Sequence, residues 1–244
     1  MKKQVYYIVS YPVFAVLYLH TALMVLITLP FAYLGYRKAV KNLAHFWARA
    51  VFWILMKKLH IHGIENYSRD QRYIIIANHA SLFDIMAIMA FSPDVAWFGH
   101  ERLMKIPVFR KVLKMINYIP VKQTNYKNTR QILEQINQAS KFRTIAIFPE
   151  GTRTLDGNMK NFFRGFVYIL RASDADILPV TLNGFYLFKP KNRFHINFSA
   201  RLSVIINQPV KSDQLRLKKD RDILDEMKNI IQAGEIQTVS QPQI

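Results

Sequence analysis

The sequence predicts an α/β fold in which a largely parallel sheet is flanked by helices and preceded by an N-terminal hydrophobic helical membrane anchor. Three observations predict it. The 22-residue stretch Ile8–Leu29 carries no charged residue. After about residue 59, short β-rich runs alternate with longer helical patterns. Several of those runs are apolar without alternation, as expected for strands covered on both faces. The 244 residues suffice for one well-buried domain with additional elements. They divide into anchoring helices at 1–58, an α/β domain at 59–234 and a disordered tail at 235–244.

The first element is long and apolar enough to cross a bilayer. No Asp, Glu, Lys or Arg lies between Lys3 and Arg37, and as a helix Ile8–Leu29 reaches about 33 Å against a hydrocarbon core of about 30 Å. Lys2 and Lys3 resemble the basic start of a signal peptide. The apolar run is too long for one, and no small-x-small cleavage site follows, so the segment reads as a retained anchor. The second element runs from Lys38 to Lys58. Lys38, Lys41, Asn42, His45 and Arg49 form a narrow polar stripe, and the wide remaining arc includes Val40, Phe46, Trp47, Val51, Phe52 and Trp53. Such an arc suits a helix in the membrane interface or one forming a hairpin with the first, and Trp47, Trp53 and the flanking lysines are interfacial anchors. A single span, a hairpin and a monotopic arrangement all fit these patterns.

Beyond residue 59, strands are predicted at Tyr73–Ala77, Val95–Gly99, Tyr118–Val121, Thr144–Phe148 and Ile177–Leu182. Helices are predicted at Leu82–Phe91, Leu103–Ile116, Tyr126–Ser140 and Phe162–Ala172. Residues 194–206 do alternate, with Phe194, Ile196, Phe198, Ala200, Leu202 and Val204 on one side, and read as an edge or half-exposed strand. A last helix places Ile223, Leu224, Met227, Ile230 and Ile231 on one face.

Composition narrows the chemistry. There is no cysteine, which excludes disulfides, thiol nucleophiles and cysteine-ligated metals. Lys and Arg total 34 against 16 Asp and Glu, a net charge of +18 that calls for anionic partners. The sequence has no nucleophile elbow of the G-x-S-x-G type, no P-loop, no G-x-G-x-x-G and no H-E-x-x-H. His60-x-His62 has metal-ligand spacing but no nearby carboxylate, and reads as ordinary strand sequence.

Two constellations remain, each in a loop after a strand, where open α/β sheets bind ligands. Asn78-His79-Ala80-Ser81-Leu82-Phe83-Asp84 follows YIIIA. Histidine accepts a proton near neutral pH, and a carboxylate on its other ring nitrogen fixes the tautomer. Five residues turn a regular helix by about 500°, so His79 and Asp84 meet only if His79 lies in the loop and Asp84 in the first helical turn. Ser81 as N-cap provides that arrangement, and Ser81-x-x-Asp84 is equally a capping box. The second loop, Pro149-Glu150-Gly151-Thr152-Arg153-Thr154, offers a carboxylate, a flexible backbone and a guanidinium able to bind two phosphate oxygens at once.

Together these blocks resemble those of the PlsC-like glycerolipid acyltransferases, whose best-known members are 1-acylglycerol-3-phosphate acyltransferases. NHASLFD is similar to their N-H-x-x-x-x-D block and FPEGTRT to their F-P-E-G-T-R block. Leu178–Thr181 (LPVT), Gly63-Ile64-Glu65-Asn66 and Phe162-Phe163-Arg164-Gly165 resemble further family segments, in the family's order from about residue 60 to 210. One departure stands out. The second block usually closes on an arginine, whereas here it closes on Val121-Lys122-Gln123, leaving Lys122 to supply the positive charge.

The resemblance implies transfer of a fatty acyl group from a thioester, on CoA or acyl carrier protein, to the free hydroxyl of a lysophospholipid acceptor, making phosphatidic acid. It implies His79 as general base, Asp84 as its orienting partner, and Asn78, Lys122, Glu150, Gly151, Thr152 and Arg153 around the acceptor, with Arg153 and Lys122 on its phosphate. No cofactor and no metal is implied. The implied partners are the acyl donor, the lysophospholipid and the membrane, not nucleic acid. Arg37, Lys38 and Lys41 outnumber Lys2 and Lys3, which favours an inner (cytoplasmic) membrane protein with its catalytic domain on the cytoplasmic side. Alternatives are glycerol 3-phosphate, another lysophospholipid or a lyso-ornithine lipid as acceptor, or a basic membrane-bound scaffold without activity.

Overall fold

A computed structural model describes residues 2–105, 107–116, 118–121, 134–135 and 138–235. Helices α1 (Lys2–Tyr33) and α2 (Arg37–Ile54) come first. Then follow β1 (Leu59–His62), β2 (Tyr73–Ala77), α3 (Phe83–Phe91), β3 (Ala96–His100), α4 (Pro107–Met115), β4 (Ile119–Val121) and β5 (Ile145–Ile147). The chain continues through α5 (Gly165–Ala172), β6 (Asp176–Asn183), α6 (Phe185–Phe188), β7 (Leu202–Ile206), α7 (Ser212–Arg216) and α8 (Asp220–Ala233). The seven strands lie in the order β1-β7-β6-β2-β5-β3-β4. Only the β6–β7 pair among them is antiparallel.

The absence of alternation in YIIIA has its cause in this layering. Tyr73, Ile75 and Ala77 pack with residues of α2 and α3, including Val51, Phe52, Ala87 and Ile88. Ile74 and Ile76 point the other way, into a second core with Phe166 and Leu170 of α5 and Ile223, Met227 and Ile231 of α8. All five strand residues are buried, so neither face can be polar. Pro179 is tolerated inside β6 because β7 leaves the ladder there. Pairing covers Val180–Asn183, and the Pro179 carbonyl accepts from Asn207 N at 2.9 Å.

Three expectations change. The alternating stretch 194–206 is a strand only over Leu202–Ile206, and β7 is not an edge, since β1 and β6 flank it. Its first half is irregular chain packed under the helices. Ile196 N donates to Ser10 Oγ at 2.8 Å, and Lys57 Nζ donates to the carbonyls of Phe198 and Ala200. Ile196 and Ala200 are buried there without a ladder, but burial does not follow the alternation, since Phe194 is 41% exposed and His195 is buried. The helix expected at 103–116 is divided into a 3-10 turn (Glu101–Lys105) and α4, which starts at Pro107. Proline suits a first helical position because its missing N–H would be unpaired in any case. Of the helix expected at 126–140, only 134–135 and 138–140 are described, and they are helical. The tail beyond Glu235 lies outside the described residues.

Helices α1 and α2 form a hairpin laid on the α/β body. Near one end of α1, the Tyr6 and Phe198 rings meet at 5.9 Å. At its middle Leu17 joins the main core, and near its other end Ala32 packs with Val40 of α2 and Met115 of α4. The outer face stays apolar and uncovered: Ile8, Leu19 and Leu26 are 70%, 71% and 62% exposed. Ser10, Thr21 and Thr28 return their hydroxyl protons to carbonyls four residues back, at 2.6, 2.8 and 2.6 Å. That device lets polar side chains sit in an apolar surrounding without an unpaired group. Gln4–Tyr33 is long and apolar enough to cross a membrane, with a mean hydropathy of 2.0.

Candidate active site

β2 and β5 are adjacent parallel strands, paired at Ile76↔Ile147, so their C-terminal loops emerge side by side. One carries Asn78–Asp84 and the other Phe148–Thr154. The sheet changes direction here, since the chain leaves β2 toward β3 on one side and later places β6 on the other.

His79 lies in the loop, and Asp84 lies in the first turn of α3. His79 Nδ1 and Asp84 Oδ2 are 2.8 Å apart. The same oxygen accepts from Ala80 N at 2.7 Å and Ser81 N at 2.8 Å. One carboxylate oxygen thus holds both the imidazole and the backbone of the loop that carries it. Ser81 is not the expected N-cap: that position is Leu82, without a side-chain cap bond, and Ser81 Oγ instead donates to the Lys189 carbonyl at 2.6 Å. Asp84 is fully buried, and its Oδ1 has no hydrogen-bond partner among the described residues. Burial pushes its carboxyl up from the ordinary value, against the pull of His79 and the two N–H groups. With the carboxylate accepting at Nδ1, Nε2 is the ring nitrogen left to accept a proton.

The second loop holds His79 by both backbone groups. Glu150 Oε1 accepts from His79 N at 2.6 Å, and the His79 carbonyl accepts from Thr154 N at 2.8 Å. Glu150 Oε2 accepts from Lys160 N at 2.8 Å, so the buried carboxylate braces the loops with both oxygens. Burial raises its pKa, against those same two N–H bonds. The Phe148 ring stacks on the His79 imidazole at 3.8 Å and 10°, and Trp97 lies against Phe148 in turn at 5.8 Å. Asn78 spends its amide on β6, donating to Leu182 O at 3.0 Å and accepting from Leu182 N at 2.7 Å. Gly151 takes a positive φ of 70° in a turn closed by its N–H on Phe148 O, and it and Thr152 are exposed. Arg153 is half-buried beside them. Lys122 lies outside the described residues.

The loop pair thus brings His79, Asp84, Glu150, Gly151, Thr152 and Arg153 together, and it turns Asn78 and Glu150 toward backbone partners. Sequence reasoning missed Thr154 and Phe148. Both stand at the ends of the FPEGTRT block, and an aromatic directly before Pro-Glu-Gly was the available signal.

A family model described as acyltransferase matches residues 58–183, a span that covers β1 to β6 and both loops. The chain belongs to the acyltransferase family. This acyltransferase-family chain is 30% identical over 201 residues to a 1-acyl-sn-glycerol-3-phosphate acyltransferase of Cocos nucifera, covering 81% of the chain and 64% of that protein. It is 30% identical over 169 residues to the protein of that name from Borreliella burgdorferi, covering 68% and 66%. The chain therefore spans a little under two thirds of the length of these relatives. In fold it is similar to the crystal structure of the LPA acyltransferase PlsC from Thermotoga maritima, with a TM-score of 0.78, 23% identity and coverage of 93% and 96%.

The bracing by Glu150 leads to a testable expectation. Glutamine offers one acceptor oxygen where glutamate offers two, so Glu150→Gln strands the N–H of His79 or of Lys160. A buried N–H without a partner costs about 1–3 kcal/mol. Glu150→Gln should therefore lower the melting midpoint and reduce kcat through a displaced His79, with KM little changed. A variant matching wild type in both would show that the brace is dispensable.

Proposed function

We propose that this chain transfers a fatty acyl group from an acyl thioester to the free hydroxyl of 1-acylglycerol 3-phosphate, making phosphatidic acid. The observation that carries this reading is the 2.8 Å His79–Asp84 pair, braced through Glu150 and Thr154 by the loop that bears Arg153. The relatives' names supply the substrate class.

In this mechanism His79 Nε2 takes the proton from the acceptor hydroxyl as its oxygen attacks the thioester carbonyl. Asp84 stabilises the imidazolium that forms. The tetrahedral intermediate collapses with cleavage of the carbon–sulfur bond, and the imidazolium returns its proton to the departing thiolate. Arg153 binds the acceptor phosphate and fixes the hydroxyl in reach of His79. CoA and acyl carrier protein are both chemically suited as the donor's thiol.

Transfer from an acyl thioester to a panel of acceptors tests the reading. The panel is 1-acylglycerol 3-phosphate, 1-acylglycerol, glycerol 3-phosphate and a choline lysophospholipid. Phosphatidic acid should be the main product. Arg153→Ala should raise KM for the phosphorylated acceptor by about tenfold or more, with kcat near wild type, because a uniformly used binding contact is lost. An effect on donor saturation alone would remove Arg153 from the phosphate site.

We further propose that residues 1–58 hold the α/β acyltransferase domain (59–234) at an inner membrane, on the cytoplasmic side. Contacts from Tyr6 to Ala32 along the α/β body favour a helix lying at the membrane surface with its outer apolar face in lipid. Washing membranes with high salt should leave the full-length protein bound, and detergent should release it. Electrostatic attachment, at about 1 kcal/mol per basic residue, is screened by salt. Release by salt alone would overturn the anchoring role.

A further inference from the structure

The cations around the two loops differ in what already occupies them. The Arg193 guanidinium donates to the carbonyls of His195 at 3.3 Å, Phe188 at 2.9 Å and Leu187, and so closes the turn from 187 to 195. Lys160 Nζ reaches the Arg153 carbonyl at 3.4 Å. Arg153 and Lys189 are in none of the carboxylate ion pairs among the described residues. Those of the other Lys and Arg side chains join α2 to Asp94 or lie between residues 171 and 226.

Lys189 follows α6 and sits against both loops. Its carbonyl takes the Ser81 hydroxyl at 2.6 Å, and Ser81 and Pro190 form an antiparallel bridge, which straps this segment to the His79–Asp84 loop. On the other side, Tyr186 Oη and Asn192 Nδ2 both donate to Leu155 O, at 3.0 and 3.2 Å, and bind the segment to the loop of Arg153. Lys189 is half-buried, and its ammonium donates to the Pro190 carbonyl at 3.1 Å. Burial, then the charges of Arg153 and Arg193, hold its pKa below the usual lysine range. Like charges gathered in a half-buried place repel unless an anion joins them.

We propose that Lys189 is a further cation of the acceptor's phosphate site, acting with Arg153 beside the Lys122 expected there. This inference rests on the functional reading above for the identity of the anion. A phosphate monoester carries about −1.5 to −2 charges at neutral pH, more than one guanidinium neutralises. Arg153 supplies a planar fork for two oxygens, and Lys189 a point charge for the rest.

The test uses the full-length protein in detergent micelles, with inorganic phosphate as the first probe. Lys189→Gln keeps the backbone carbonyl that Ser81 uses and removes only the charge. Phosphate, compared with chloride at equal ionic strength, should raise the melting midpoint of the wild type and of Lys189→Arg, but not of Lys189→Gln. In turnover, Lys189→Gln should raise KM for 1-acylglycerol 3-phosphate by about tenfold or more, with donor KM unchanged and Lys189→Arg close to wild type. If Lys189→Gln fails to fold, Lys189→Met, which keeps the apolar stem, takes its place. Equal stabilisation by phosphate in wild type and the uncharged variant, or no stabilisation of the wild type, overturns the proposal. A wild type that acylates only phosphate-free acceptors overturns the functional reading, and the melting comparison still decides whether Lys189 helps to form an anion site.

Discussion

His79→Ala in the full-length protein should lower turnover by about 10²–10⁴-fold, the range for loss of a general base, with melting midpoint and membrane association unchanged. The imidazole is held by its loop more than it holds the loop. Its backbone N–H and carbonyl are bonded to Glu150 and Thr154, and alanine retains both groups. Asp84 behaves differently because Oδ2 serves His79 and the N–H groups of Ala80 and Ser81 together. Asp84→Ala should therefore lose turnover and also about 1 kcal/mol or more of stability. Asp84→Asn separates the two roles. Its amide oxygen can still accept from Ala80 N and Ser81 N, whereas it no longer stabilises an imidazolium, so turnover should fall steeply with a smaller thermal shift. Turnover at the wild-type level in His79→Ala would falsify the mechanism.

A chain of residues 59–244 should fail to form a stable domain. Val51, Phe52 and Leu55 of the α2 segment are 2%, 3% and 0% exposed, and they share one core with Ile75, Phe83, Phe188 and Val204 of the α/β body. Full burial of such side chains contributes about 1.5–3 kcal/mol each, so these three alone account for roughly 5–9 kcal/mol. That is comparable to the whole stability of a typical domain, about 5–15 kcal/mol. The shortened chain should aggregate, or show no cooperative melting transition in detergent. Phe52→Ala, at about 3–5 kcal/mol, should reproduce part of the loss in the full-length protein. A 59–244 chain that melts cooperatively and acylates detergent-dispersed acceptor would show instead that the helices serve attachment alone.

The strands were legible because their composition reports burial directly. YIIIA and TIAIF are covered on both faces, and each lies within a residue of its predicted position. Phe194–Ala200 misled because alternation is blind to whether a hydrogen-bonded ladder exists: Ile196 and Ala200 are buried, but His195 is buried as well and Phe194 is 41% exposed. The outer arc of α2 misled in part as well. Phe52 and Val51 face protein while Trp53 stays 60% exposed, and apolar sequence is the same whether lipid or a sheet covers it.

The sequence by itself determined the α/β class, the apolar N-terminal element and the two loops that form the candidate site. Each of these follows from local composition and short spacing. Whether Ser81-x-x-Asp84 is a cap or Asp84 a partner for His79 was undecidable from spacing, because both need the same first helical turn. Only the tertiary structure decided it: the N-cap of α3 is Leu82 without a side-chain cap bond, and Asp84 Oδ2 holds His79 together with the N–H groups of Ala80 and Ser81. The tertiary structure also joined residues far apart in the chain. Pairing β2 with β5 puts Glu150 and Thr154 on the backbone of His79, and pairing β2 with β6 puts Leu182 on Asn78 and brings Lys189 beside Ser81. No spacing in the sequence encodes those contacts, because strand order in a sheet is set by how helices cross and pack rather than by the order of the strands along the chain.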